Sequence, residues 1–136
     1  MIKATKSVVV ATEDPVIINQ IGSILVQHDY SILVEKSAIK SILKILEQEI
    51  YFLILDLDIL SNSHLDLINI IRKTRPRLPI VVLSEDNSLE TVRELSQAGV
   101  FYCALKPIQT GEIEEVFEAL ERFHEKQNYE IQVVEH

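Results

Sequence analysis

Two kinds of segment alternate through the 136 residues. The first kind is short and apolar at almost every position: SVVVA (7–11), SILVE (31–35), YFLIL (51–55), PIVVL (79–83) and FYCAL (101–105). A strand with one wet face would alternate, so unbroken runs of this length predict strands buried on both faces, as in a parallel sheet. The second kind is longer and carries apolar residues three and four apart. Ile17, Ile18, Ile21, Ile24 and Leu25 form one stripe, and Ile39, Ile42, Leu43 and Leu46 a second. Leu67, Ile68 and Ile71 form a third, Leu89, Val92 and Leu95 a fourth, and Ile113, Val116, Phe117, Leu120 and Phe123 a fifth. This spacing predicts five amphipathic helices whose stripes face the core. Local signals agree with it. Asp14-Pro15 reads as an N-cap with proline in the first turn, and Ser37 and Ser88 are placed to cap the second and fourth helices. Gly99 stands where a left-handed C-cap would close the fourth helix, and Pro76 and Pro79 break the chain before the fourth strand.

Strands alternating with helices predict an α/β fold, (βα)5, with a parallel five-stranded sheet between two helix layers. Right-handed crossovers narrow the topologies, and a doubly wound, flavodoxin-like order 2-1-3-4-5 is the favoured arrangement. No repeat or second domain is visible. The closing QNYEIQVVEH loses the helical period, which predicts a domain over 1–126 and a C-terminal tail or linker over 127–136.

Composition narrows the partners. Thirteen Lys and Arg stand against 21 Asp and Glu, a formal charge of −8. That balance argues against a nucleic-acid surface and suits a cation or a basic partner. A single cysteine, Cys103, allows no disulfide within the chain. No apolar stretch approaches a membrane span, and the start reaches Glu13 too soon for a signal peptide, so a cytoplasmic domain is the expectation.

In an open α/β sheet, ligands bind beyond the carboxyl ends of the strands at the switch in strand order. Strand 1 runs there into Thr12, Glu13 and Asp14, and strand 3 into Asp56 and Asp58. Strand 4 ends at Ser84, and strand 5 runs into Lys106-Pro107. The set holds carboxylates, one hydroxyl and one ammonium. Grouped carboxylates call for a cation, and hard oxygen donors without Cys or His point to Mg²⁺. Lys106 and Ser84 have the chemistry to hold a phosphoryl oxygen. Asp56 is a candidate nucleophile, since carboxylates form acyl phosphates. The plainer readings stand beside these: an Asp56–Lys106 structural ion pair, a Ser84 hydroxyl bonded to backbone, and a Glu13 that only favours a helix dipole. Asp14 reads as a cap more than a ligand, His64 as a loop residue, and Cys103 as a small buried hydrophobe. The acidic run Glu112, Glu114, Glu115, Glu118 and Glu121 reads as a solvated face of the last helix, or as a dock for a basic partner.

The stretches VVVATEDP, FLILDLD, IVVLS and ALKP, in this order and spacing, resemble the receiver domain of two-component response regulators over roughly residues 5–126. The resemblance implies Asp56 as phosphoacceptor, Ser84 and Lys106 as phosphoryl-binding groups, and Mg²⁺ held by Glu13, Asp56 and Asp58, the last through its backbone carbonyl or side chain. It implies a cis Lys106-Pro107 bond and a histidine kinase or phosphotransfer protein as donor. It also implies output through a downstream protein or a domain outside this chain, with a homodimer through helix 4, strand 5 and helix 5. The alternative is a pseudo-receiver that binds partners without phosphorylation. Four departures bear on that choice. Thr12 stands where the family has a second acidic residue, and Asp58 is expected to restore that charge if the strand persists. Glu85 follows Ser84 where a small residue is usual. Cys103 occupies the place of an aromatic, with Tyr102 one residue away on the opposite face. The loop Leu60-Ser61-Asn62-Ser63-His64 lacks the usual Pro and Gly.

Overall fold

The computed structural model describes residues 6–59 and 64–135, and side chains as far as Asn128 except that of His64. The elements are β1 (Lys6–Ala11), α1 (Pro15–Gln27), β2 (Tyr30–Glu35), α2 (Ala38–Glu47), β3 (Phe52–Asp56), a 3-10 turn (Leu57–Ile59), α3 (His64–Thr74), β4 (Ile80–Ser84), α4 (Leu89–Gln97), β5 (Tyr102–Leu105) and α5 (Thr110–Glu135). The five strands form one parallel sheet in the order β2-β1-β3-β4-β5, as the alternation predicts. β3 and β4 are buried at every position, which is why they show no polar alternation.

The sheet separates two apolar layers. On one side Val8, Val10, Phe52, Ile54, Val81 and Leu83 pack against Ile17, Ile21 and Leu25 of α1 and Ile113, Phe117 and Leu120 of α5. On the other, Val9, Leu53, Leu55, Ile80 and Val82 meet Ile45 of α2, Leu67, Ile68 and Ile71 of α3, and Leu95 of α4. Each strand residue turns to the face opposite its neighbour, so one apolar run feeds both layers.

The caps are where local chemistry puts them. Asp14 accepts from Val16 N with Pro15 opening α1, Ser37 accepts from Lys40 N, and Ser88 accepts from Thr91 N. Gly99 has φ +83°, in the left-handed region behind α4. Lys106-Pro107 is cis.

Two helical stripes differ from the expectation. In α2 the buried residues are Ser41 and Ile45, while Ile39, Leu43 and Leu46 lie exposed. Leu89 and Val92 of α4 are likewise exposed, and only Leu95 reaches the core. An apolar stripe on a helix edging a sheet is wider than the strip the sheet can cover, and spacing alone does not say which part turns inward. α5 does not stop with its apolar period near 126 but runs to Glu135, so residues 127–135 are helical. The residues 60–63 of the divergent loop lie outside the described residues.

Candidate functional site

The parallel register brings four chain segments to one rim. Asp56 is the last residue of β3 and pairs with Leu83 of β4, so Ser84 ends the neighbouring strand one step further on. Ser84 pairs with Leu105, and the Lys106 amide donates to the Ser84 carbonyl at 2.9 Å. Thr12 follows β1, whose Ala11 pairs with Leu55.

Asp56 is 2% exposed, and a carboxylate so buried needs partners. It has three. Lys106 Nζ donates to Oδ1 at 2.7 Å, and the Asp58 amide donates to the same oxygen at 3.1 Å. Thr12, fully buried, donates its hydroxyl to Oδ2 at 2.6 Å. The Thr12 oxygen in turn accepts from the Asp14 amide at 3.1 Å, which fixes the hydroxyl's direction. Lys106 Nζ reaches a second carboxylate, Asp58 Oδ2, at 2.5 Å. Burial works against the ammonium's charge, but the hydrogen bonds and charges of Asp56 and Asp58 outweigh it, and Lys106 titrates above an ordinary lysine.

The sequence-derived residues therefore divide. Asp56 and Lys106 are joined directly. Asp58 is joined to Lys106 too, although the strand does not persist to carry it there: β3 ends at Asp56, and Leu57–Ile59 is a 3-10 turn. Ser84 lies at the rim, but its hydroxyl is turned into its own loop. It accepts from the Asp86 amide at 3.0 Å and donates to the Asp86 carbonyl at 3.3 Å. Asp86 in turn accepts from the Ser88 amide and the Thr91 hydroxyl, so the β4–α4 connection is internally bonded. Glu13 and Glu85 are exposed. Among the described residues, no three acidic, His or Cys side chains gather as one metal-holding group, so Glu13 does not close a cluster with Asp56 and Asp58. The donor set that does converge, two carboxylates on one ammonium, suits a single hard cation that keeps most of its water.

The hydroxyl of Thr12 is the site contact that sequence reading missed. Its position marked only a missing carboxylate, and nothing local signals a bond to a residue 44 positions away. Tyr102 and Cys103 take opposite faces as expected. Tyr102 packs in the α1–α5 layer with its hydroxyl on Glu112 at 2.9 Å, and Cys103 packs in the other layer. Burial, then the charges of Asp86 and Glu112, pushes the Cys103 thiol up, which keeps it protonated.

The family model described as response regulator receiver domain matches residues 8–118. Among solved structures, a CheY-like response regulator receiver domain protein from Methanospirillum hungatei JF-1 superposes with a TM-score of 0.79 at 19% identity, covering 90% of this chain and 99% of that one. The receiver domain of the sensor histidine kinase PA1611 from Pseudomonas aeruginosa PAO1, solved with a magnesium ion in its active-site cleft, gives 0.71 at 22% identity, covering 88% and 98%. The chemotaxis response regulator CheY4 of Vibrio cholerae gives 0.73 at 16% identity, covering 88% and 99%. No curated protein matches the sequence.

Proposed function

Because the chain belongs to the response regulator receiver domain family, we propose that it acts as a phosphoacceptor switch in which Asp56 takes a phosphoryl group from a phosphohistidine. The observation that carries this reading is the buried Asp56 carboxylate clamped by Lys106 at the carboxyl rim of the sheet. An Asp56 oxygen attacks phosphorus in line with the P–N bond. The O–P bond forms as the P–N bond breaks, and the imidazole leaves and takes up a proton. Aspartyl phosphate results, and water later returns it to carboxylate and phosphate. Lys106, freed from the carboxylate it now holds, neutralises a phosphoryl oxygen. Ser84 donates to another only after leaving its Asp86 contacts, so phosphorylation and rearrangement of the β4–α4 loop go together. Mg²⁺, when bound, would offset charge on the phosphoryl oxygens, and Asp56 and Asp58 are the residues that would hold it, with Glu13 through water.

The donor would be a histidine kinase or phosphotransfer protein in the cytoplasm. Output would pass through protein contact, or a domain outside this chain, at the α4–β5–α5 face. Leu89, Val92 and Leu105 are exposed there, which also makes it the place for a homodimer of the kind the family implies.

One observation favours a second reading, a partner-binding domain that is never phosphorylated. Thr12 puts a hydrogen-bond donor on Asp56 Oδ2, where a second carboxylate would leave that oxygen open to metal. Incubation with acetyl phosphate and Mg²⁺, followed by intact-mass measurement and Phos-tag electrophoresis, separates the two. One added phosphoryl group, absent in Asp56→Asn, is the expected result. An unmodified chain beside a competent control receiver would decide for the second reading.

A further inference from the structure

The α2 helix carries an apolar stripe that the domain does not use. Ile39 is 74% exposed, Leu43 48% and Leu46 45%, at the spacing i, i+4, i+7 that makes one narrow seam along a helix. The core side of the same helix is complete without them, through Ser41 and Ile45 with Ala38 and Ile42 at its border. Apart from the half-buried Lys44 in the last turn, the charges beside the seam are sorted along its length. The exposed Lys36 and Lys40 flank its start, and the exposed Glu47 and Glu49 flank its end.

We infer that this seam is a two-fold interface with a second copy of the chain, the two α2 helices packing antiparallel. The pattern is self-complementary about a single point beside Leu43. Turned end for end about that point, Leu43 meets its own counterpart and Ile39 meets Leu46 of the other copy. The same turn sets Lys40 against Glu47, a pair formed twice by symmetry. A parallel pairing would set each lysine against its own copy. The charge order therefore selects the antiparallel arrangement, and with it a like partner over an unrelated one. α2 packs against β1, β2 and α3, whereas the α4–β5–α5 face lies at the β5 edge of the sheet, so the inference is independent of the switch reading and of the homodimer that reading implies.

A single helix pair is at the small end of specific interfaces, so the dissociation constant should fall between about 10 µM and 1 mM. Sedimentation equilibrium of the unmodified chain across that range should show a monomer–dimer equilibrium. Leu43→Lys, which sets two ammonium groups together at the two-fold axis, should leave only monomer. Lys40→Glu and Glu47→Lys should each weaken the dimer by roughly 2- to 30-fold, from two like-charge contacts per dimer. Mixing these two single variants should restore association, because each then meets the opposite charge, and the double variant should dimerise like the unmodified chain. All of these positions are exposed, so unchanged circular dichroism is expected throughout. A chain that stays monomeric to about 1 mM overturns the inference. So does a dimer that survives Leu43→Lys but is lost in Leu105→Glu, and so does a mixture no more associated than its components.

Discussion

Replacing Thr12 by Val removes one hydroxyl from the most enclosed part of the site and leaves the β-branched shape in place. Two hydrogen bonds go with it. The first is the donation to Asp56 Oδ2 at 2.6 Å, between groups that are 0% and 2% exposed. A hydrogen bond to a charged group contributes about 1.5–3 kcal/mol, and here water cannot readily replace the lost donor. The second is the Asp14 amide on the Thr12 oxygen at 3.1 Å, in a partly wet position, which adds about 0.5–1 kcal/mol. The variant should thus be less stable by about 2–4 kcal/mol, against a total of roughly 5–15 kcal/mol for a domain. Urea unfolding at pH 7 reads this directly: with a slope near 2 kcal/mol/M the midpoint should fall by about 1–2 M. The same substitution in an Asp56→Asn chain should cost only about 1–2 kcal/mol, since the acceptor is then neutral. A midpoint shift under about 0.3 M, or an equal loss in both backgrounds, would refute the claim that Thr12 supports the buried charge.

Alkaline stability follows from Lys106 and Tyr30. Burial first, then the charge and hydrogen bond of Glu121, raises the Tyr30 phenol well above its usual value. Both groups hold their proton more tightly folded than unfolded. The stability they lend is complete below their ordinary values, near 10 for Tyr and 10.5 for Lys, and is lost as pH rises through the folded values. Urea midpoints should therefore fall above about pH 10, and Tyr30→Phe should flatten the fall; an unchanged slope in that variant would count against the Tyr30 contribution. Gly99→Ala should lower the melting temperature by roughly 3–8 °C, because φ +83° penalises a side chain and the new Cβ would sit 3.4 Å from Arg72 Cδ. Calorimetry showing an equal or higher melting temperature would remove that account.

What could be read in the sequence was local or periodic. Asp14, Ser37, Ser88 and Gly99 cap helices through neighbours a few residues away, so their type and place suffice. The strand runs read correctly because a parallel sheet buries both faces, and that alone sets Asp56, Ser84 and Lys106 on one rim. Contacts across the rim were not legible. The Thr12 hydroxyl reaches Asp56 over a long loop of chain, and Asp58 reaches Lys106 through a turn that strand periodicity does not describe. The α2 stripe was legible as apolar but not as exposed, since the width of the sheet beneath it, not its own spacing, decides what is covered. The reach of α5 was hidden for a related reason: residues 127–135 keep the helix without keeping the period that marks a core.

That reach makes α5 a lever. At 1.5 Å per residue its 26 residues span roughly 39 Å, anchored at its base by Ile113, Phe117 and Leu120 and held as far along as His124 stacked on Tyr51. About three turns continue past that point, roughly 16 Å of unbroken helix. By plain geometry, a tilt of its packed half would move the tip of that rod further than its base.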